Sequence, residues 1–338
     1  MQSVLLHKSL LGNLIKALQS DYEVFGPTKK GLSYVWDKVH SLYEITLNYD
    51  CTILPPKKFV LPGRETMFNF TNGKITSIAS DTNKKQVLFG IHACDLKAFS
   101  YLDKIYMGQA TDPRYEERRQ NLVLIAYSCI KPCDNGFCHS MGSGAHAHSG
   151  FDLQLTDLGE RYIVEIGSEA GQKIIKLVET EPVSMEDREQ LAHLCTESTA
   201  QFKKHVNTEN LTKILFDNIN HKVWDKIGEQ CLACGQCALV CPTCFCFDIR
   251  DKVDLTLKSG ERYRTWDVCL LKEFSEIALG ENFRSKRKDR LRQFQCHNLA
   301  WSAEQFGSPK CVGCGRCIKV CPVHIDITET VSEIREKG

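Results

Sequence analysis

The sequence contains CLACGQCALVCP at residues 231–242 and, near its C-terminus, the matching run CVGCGRCIKVCP at residues 311–322. In each run two residues separate the first Cys from the second, and two separate the second from the third. Three further residues separate the third Cys from a fourth, which directly precedes Pro. Three thiolates at this spacing can wrap around three corners of one four-iron cubane, while the fourth reaches toward a neighbouring cluster. Pro suits the helical turn that begins there, because its missing N–H would have no intrahelical partner. The repeated run therefore predicts two adjacent [4Fe-4S] clusters.

The exchange of the fourth Cys between the two runs determines the predicted ligands. Cluster 1 is assigned the first three Cys of the first run and the last Cys of the second: Cys231, Cys234, Cys237 and Cys321. Cluster 2 is assigned the complementary set: Cys311, Cys314, Cys317 and Cys241. Two tetrahedral zinc sites are the alternative, but zinc needs neither the third Cys at this spacing nor a Cys-Pro pair in both runs.

Cysteine is abundant outside these runs as well, with 18 residues in a chain of 338. The chain has 43 basic and 42 acidic side chains, and this balance gives no reason to expect a nucleic-acid partner. Apolar residues recur at helical spacing from Leu10 to Leu18, which predicts an amphipathic core helix instead of a signal peptide. No apolar run has the length of a membrane span. We therefore expect a cytoplasmic protein whose reduced thiols bind metal or transfer electrons.

A second group of cysteines lies in the N-terminal half of the chain. The apolar stretches 85–91 and 122–126 have the composition of buried strands, and the helical pattern between them predicts a parallel βαβ unit. Neighbouring parallel strands end at the same edge of a sheet, so Cys94 and Cys129, which follow the two strands, should lie close together. The loop after the second strand adds Cys133 and Cys138.

Four cysteines at one sheet edge predict a third [4Fe-4S] cluster, with Cys94, Cys129, Cys133 and Cys138 as its ligands. Asp95 and His139 are the substitutes if one of these cysteines is not a ligand. Unligated thiols or a zinc site are the alternatives, because the spacing of the four is irregular.

The order of the predicted elements indicates an α+β or α/β fold with two domains. Residues 1–226 are predicted to form an N-terminal α/β domain with a partly parallel sheet. Residues 227–338 are predicted to form a bacterial-ferredoxin-like two-cluster domain with a long, mainly helical insert at 245–308. Six cysteines have no predicted ligand role: Cys51, Cys195, Cys244, Cys246, Cys269 and Cys296. For the last four, burial as thiols near the clusters is the expectation. No nucleophile, acid–base pair or nucleotide loop is recognisable, so no catalytic residue is predicted.

With these residues in place, the chain resembles the family of the iron–sulfur β subunit of cytoplasmic sulfhydrogenases and the A subunit of anaerobic sulfite reductase. The resemblance covers nearly the whole chain and is carried by short segments outside the ferredoxin-type spacing. These segments are FGP at 25–27, ACD at 93–95, DPRY at 112–115, FCHSMG at 137–142, CPTCFC at 241–246, GER at 260–262, WDVC at 266–269, NFR at 282–284, RLR at 290–292 and CVGCGR at 311–316.

The resemblance implies an electron-transfer subunit that itself binds no flavin or nicotinamide. It would relay electrons between a flavoprotein subunit that carries FAD and handles NAD(P)H and a catalytic subunit of the same complex. That catalytic subunit would be a [NiFe] hydrogenase, a sirohaem sulfite reductase or a heterodisulfide-reductase-type module. In the alternative function, the N-terminal cluster is itself catalytic and binds a sulfur substrate at an open iron position.

The chain departs from the family pattern at one position. Relatives usually have a Cys two residues before the Cys of the Phe-Cys-x-Ser-Met-Gly segment, and this chain has Gly136 there. Cys133 is the natural replacement, three positions earlier. The resemblance also supports a third cluster in the N-terminal half.

Overall fold

The computed structural model describes residues 2–77 and 85–337. The strands, in chain order, are β1 Gln2–His7, β2 Glu23–Lys30, β3 Ser33–Lys38, β4 Arg64–Thr71, β5 Lys74–Ser77, β6 Gln86–Ile91, β7 Leu122–Tyr127, β8 Leu153–Asp157, β9 Arg161–Ile166, β10 Glu181–Pro182, β11 Phe247–Val253 and β12 Ser259–Trp266. The α-helices are α1 Leu11–Leu18, α2 Ala93–Tyr106, α3 Pro113–Gln120, α4 Glu169–Ile175, α5 Met185–Ala200, α6 Leu211–Asp217, α7 Val223–Gln230, α8 Gln236–Leu239, α9 Arg287–Cys296, α10 Ser302–Phe306, α11 Arg316–Lys319 and α12 Ile327–Lys337. A π-helical segment, His297–Trp301, joins α9 to α10.

The larger sheet has eight strands in the order β10-β1-β9-β8-β7-β6-β2-β3. Its central strands β2, β6, β7 and β8 are parallel, and the outer pairs are antiparallel. Every residue of β7 is buried, as expected for a parallel strand covered on both faces. The β6–α2–α3–β7 segment confirms the predicted βαβ unit, and the mixed fold with a partly parallel sheet is confirmed as well.

The amphipathic segment near the N-terminus forms α1 and packs inward. Leu11, Leu14, Ile15 and Leu18 are all buried and belong to the core on one side of the large sheet. This spacing is the helical periodicity read from the sequence.

The smaller sheet combines two distant parts of the chain. Its order is β11-β12-β4-β5, and all its pairs are antiparallel. The insert therefore begins with a β-hairpin and becomes α-helical only from α9 onward. The pattern did not indicate this hairpin, because Phe247–Val253 is charged and largely exposed and lacks an apolar face.

A buried ion-pair network holds this sheet against the βαβ unit. Arg264 on β12 contacts Glu65 on β4 at 2.6 Å and Asp112, the N-cap of α3, also at 2.6 Å. The Arg264 guanidinium, 10% exposed, contributes to holding the pKa of the Glu65 carboxyl below its usual range, against the opposing effect of burial. The hairpin is thus joined to the N-terminal half by both backbone pairing and charge.

The C-terminal region is built on the repeated cysteine runs. After the second Cys of each run, Gly235 (φ 77°) and Gly315 (φ 72°) adopt a left-handed conformation and cap the short helices α8 and α11. Helices α6, α7, α9 and α12 supply nearly half of the buried core beside these turns, including Leu215, Trp224, Phe294 and Val331. In the parts of the chain that the structure describes, no helix is long and apolar enough to cross a membrane.

Candidate iron–sulfur sites

The four cysteines assigned to cluster 1 line one cavity of about 40 Å³. Apolar side chains complete its wall, among them Leu270, Leu291 and Phe294. Burial raises the pKa of the Cys237 thiol, and the thiols of Cys231, Cys234 and Cys321 raise it further. The last Cys of the second run is therefore brought to the first three of the first run, as the exchanged pattern requires.

The four cysteines assigned to cluster 2 are also neighbours. Burial raises the pKa of Cys311, Cys314 and Cys317, and the thiol of Cys241 adds to the rise in each of them. Cys241 further contacts Thr243 Oγ1 at 3.3 Å. The two sets adjoin, because Cys317 of the cluster 2 set also lines the cavity of the cluster 1 set.

Equivalent backbone groups point at sulfur in the two runs. The Ala233 N–H lies 3.3 Å from Cys231 Sγ, and the Gly313 N–H lies 3.4 Å from Cys311 Sγ. Both donors have left-handed backbones, with φ 53° at Ala233 and 69° at Gly313. The Ile325 N–H donates to Cys321 Sγ at 3.3 Å. Such N–H···S bonds stabilise negative charge on thiolates and help to set cluster potentials.

The cysteines predicted for the N-terminal site lie at the edge of the βαβ unit. Cys94 is at the start of α2, directly after β6, and Cys129 follows β7. Cys94 and Cys138 share an apolar cluster with Ala98, Phe202 and Val312, against which Cys129 and Cys314 pack. Burial raises the pKa of Cys138 to about 12, and the nearby Cys314 thiol adds to this. The N-terminal thiols therefore lie beside the cluster 2 set.

The fourth cysteine of this set, Cys133, contacts the loop that carries Asp50. Its thiol donates to the main-chain carbonyl of Asp50 at 3.0 Å. Burial strongly raises its pKa, with further contributions from the Cys129 thiol and from Cys51. The structure thus brings Cys133 to the site and adds a buried neighbour, Cys51, that the sequence did not single out. Cys51 stands alone in a loop, so no spacing signal could have found it.

The two substitute ligands have other partners. Asp95 is fully buried, and Arg316 binds its two carboxylate oxygens at 2.7 Å each. The His139 ring packs on Phe202, with ring centres 4.3 Å apart, and its Nε2 lies 2.8 Å from Nδ1 of His205. These contacts engage both carboxylate oxygens of Asp95 and one ring nitrogen of His139.

The loop that carries Cys133 and Cys138 docks directly on the loop of the second cysteine run. The Phe137 N–H donates to the Gly313 carbonyl at 2.7 Å, and Ser143 Oγ donates to the Val312 carbonyl at 2.8 Å. A Cβ on Gly313 would lie 2.6 Å from the Cα of Cys138. The close approach of the two loops therefore depends on glycine at this position.

The donor chemistry of the three sets fits iron–sulfur clusters. Each predicted set consists of four thiols, without a carboxylate or an imidazole. Soft thiolate ligands select Fe–S clusters, Zn or Cu(I). Within residues 2–77 and 85–337, no three His, Cys, Asp or Glu side chains surround the position of a single ion.

Comparisons with known proteins agree with this chemistry. Residues 230–325 match the 4Fe-4S dicluster domain family. The whole chain is similar to sulfhydrogenase 2 subunit beta of Pyrococcus furiosus, with 36% identity over 341 residues that cover 99% of each chain. No solved structure matches the chain significantly. The dicluster match implies two [4Fe-4S] clusters in the C-terminal region.

Proposed function

This chain belongs to the sulfhydrogenase β-subunit family, and we propose that it is the electron-transfer iron–sulfur subunit of a multi-subunit anaerobic oxidoreductase. In this proposal it relays electrons between an FAD-containing flavoprotein subunit that handles NAD(P)H and a catalytic subunit. That partner is a [NiFe] hydrogenase, a sirohaem sulfite reductase or a heterodisulfide-reductase-type module. The complex is cytoplasmic, where thiols stay reduced, and all the cysteines of the chain are free thiols.

The contiguity of the three thiol sets is the observation that carries the proposal. Cys138 of the N-terminal set adjoins Cys314 of the cluster 2 set. Cys241 and Cys317 of that set adjoin Cys237 of the cluster 1 set. Each end of this series approaches the surface, since Cys234 is exposed and Cys129 and Cys133 line an open cavity. A series with two exposed ends suits a relay between two partners.

The chain's own residues provide positions and electrostatics, and the clusters supply one-electron redox chemistry when bound. Thiolates fix the position of each centre, and backbone N–H groups donate to sulfur at Cys231, Cys311 and Cys321. Burial excludes water from the thiols and strengthens nearby charges. Arg316 adds a fixed positive charge between the N-terminal and cluster 2 sets, because its charge acts on the thiols of Cys94 and Cys314.

Iron and sulfide analysis of anaerobically purified protein tests the cluster content. The dicluster region alone accounts for about eight irons, and a third cubane raises the content to at least about twelve. Replacing Cys129 with Ser should remove about four irons and leave the dicluster signals in electron paramagnetic resonance (EPR) spectra. Zinc without sulfide in the wild-type protein would contradict the whole proposal.

Cys133→Ala tests the least regular ligand of the N-terminal set. If Cys133 is a ligand, the variant loses about four irons, whereas Cys195→Ser on α5 loses none. An unchanged iron content in Cys133→Ala would move the assignment to Cys51, Asp95 or His139. Co-purification from the native host identifies the catalytic partner.

One observation favours a second candidate function, in which the N-terminal cluster binds a sulfur substrate at an open iron position. A cavity of about 510 Å³ is lined by Cys129, Cys133, Asp50 and His92. Burial and the nearby Arg316 lower the pKa of His92 to about 3, so its ring is neutral there. Adding sulfite, sulfide or polysulfide to the reduced protein should then change the EPR signal lost in Cys129→Ser. An unchanged signal with all three compounds supports electron transfer alone.

A further inference from the structure

Three cysteines outside the predicted ligand sets converge beside the cluster 2 thiols. Cys246 directly precedes β11 and Cys269 follows shortly after β12, so the antiparallel hairpin returns the chain to its starting point. The Asp267 N–H donates to the Cys246 carbonyl at 3.1 Å, and Cys246 packs against the buried core that contains Cys244 and Cys269. Cys244 is buried two residues earlier. The hairpin therefore brings these three cysteines close together.

Two buried lysines face these thiols. Lys57 is 4% exposed, and its ammonium donates to the main-chain carbonyls of Cys241 and Cys244 at 2.9 and 2.8 Å. Lys310 is 1% exposed, and its ammonium lies 3.4 Å from His297 Nδ1. The charges that act most strongly on both ammonium groups are those of the Cys244 and Cys241 thiols, followed by Cys246.

The lysines require negative charge that the protein's carboxylates do not supply. In the described parts of the chain, the two ammonium groups have main-chain carbonyls and the His297 ring as their hydrogen-bond partners, and no Asp or Glu oxygen. A buried charge is strongly destabilising unless it is paired. Cys241, a predicted ligand of cluster 2, supplies negative charge beside Lys57, whose ammonium binds its carbonyl. Lys310 lies over the ring of Phe245, 5.3 Å from its centre and between Cys244 and Cys246 in the chain. A second anionic group beside these cysteines would balance its charge.

We propose that Cys244, Cys246 and Cys269 are ligands of a further iron–sulfur cluster, whose negative charge is balanced by Lys57 and Lys310. A single bound ion is disfavoured, because no three ligating side chains in the described parts of the chain surround one ion position. A cluster binds its thiolates at several irons. The Cys244 N–H donates to the Cys241 carbonyl at 3.3 Å, so the new centre adjoins cluster 2 and forms a branch from the main series.

Iron content separates this site from the others. The triple variant Cys244→Ser, Cys246→Ser and Cys269→Ser, purified anaerobically as the full chain, should lose about three or four irons with matching sulfide. The dicluster EPR signals and the iron removed by Cys129→Ser should be unchanged. The matched control is Cys296→Ala, a fully buried cysteine whose charged neighbour is Arg292, and this variant should retain all its iron.

The lysines provide a second measurement that does not rely on ligand removal. Lys57→Met and Lys310→Met remove positive charge that favours the reduced cluster, so one redox midpoint should shift to lower potential while the iron content is retained. An iron content that stays at the wild-type value in the triple variant would overturn the proposal. Zinc in place of iron and sulfide at this site would overturn it too. Neither result affects the electron-transfer function, which the Cys129→Ser variant tests separately.

Discussion

Arg316 is the residue that joins the second cysteine run to the N-terminal half. Its guanidinium binds both oxygens of Asp95 at 2.7 Å and the Thr52 carbonyl at 3.0 Å, and both charged side chains are buried. Asp95 and Arg316 are 221 positions apart. The residue types at these positions are visible in the sequence, but their pairing depends on the docking of two loops and could not be read from it.

Removing one member of this pair should strongly destabilise the protein. Arg316→Met leaves the Asp95 carboxylate buried without a counter-charge, which typically costs about 3–5 kcal/mol. Lys213→Met is the control, since Lys213 and Asp217 form an exposed i,i+4 pair worth about 0.3–0.5 kcal/mol. Anaerobic thermal unfolding should show a large fall in Tm for Arg316→Met only. Similar Tm values for the two variants would contradict the structural role of the pair.

His146 should make stability depend on pH in the neutral to alkaline range. Burial alone would lower its pKa, but hydrogen bonds with Cys195 and Glu165 raise it from 6.5 to about 9. Because the folded state binds the proton more tightly, the stabilisation is complete below pH 6.5 and is lost as the pH rises through about 9. The loss should amount to about 3 kcal/mol, because each pKa unit corresponds to about 1.4 kcal/mol.

Denaturant unfolding of the wild type and of His146→Gln at several pH values tests this dependence. The two proteins should differ most below pH 6.5 and converge toward pH 9. A constant difference across the range would show that His146 stabilises the fold through packing alone.

At the scale of elements, glycine sets the distance between two cysteine loops. Gly313 has φ 69°, and a Cβ there would meet the backbones of Phe137 and Cys138 at 2.6–2.7 Å. Gly307 has a similar φ of 73° with nothing within 4 Å of its Cβ position. The two positions share the backbone strain of a left-handed residue, about 1–2 kcal/mol, and differ in the steric contact.

Gly313→Ala should therefore separate the two loops, whereas Gly307→Ala should not. We expect Gly313→Ala to lose iron from the N-terminal site and to weaken the docking of residues 133–138. Gly307→Ala should show a modest fall in Tm with its full iron content. Equal iron content in both variants would mean that the loops tolerate a wider separation.

The elements that the sequence predicts well are those with local signals. The cysteine runs predict their own turns, and the apolar stretches of β6 and β7 predict a parallel unit that brings Cys94 to Cys129. The hairpin β11–β12 has no such signal, because its strands are charged and its pairing partner is β4. The sequence alone therefore predicts ordinary buried thiols at Cys244, Cys246 and Cys269, because only the paired hairpin shows that they are neighbours.

At the scale of the whole molecule, the smaller sheet contains strands from both sides of the predicted domain boundary at residue 226. The hairpin pairs with β4, and Arg264 binds Glu65, 199 positions away. Lys57 reaches the carbonyls of Cys241 and Cys244 across 184 and 187 positions. The division into domains stays a prediction, and these contacts connect the two parts through both backbone and side chains.

The shared sheet has a consequence for the order of events during synthesis. Strands β4 and β5 leave the ribosome well before β12, which is made roughly 10–40 s later at about 5–20 residues per second. Until then the edge of β4 has no partner, and unpaired strand edges promote aggregation. A fragment of residues 1–226 should therefore form aggregates detectable by light scattering, unlike the full chain. The exposed edge is thus a feature of synthesis alone, because β12 covers it in the complete chain.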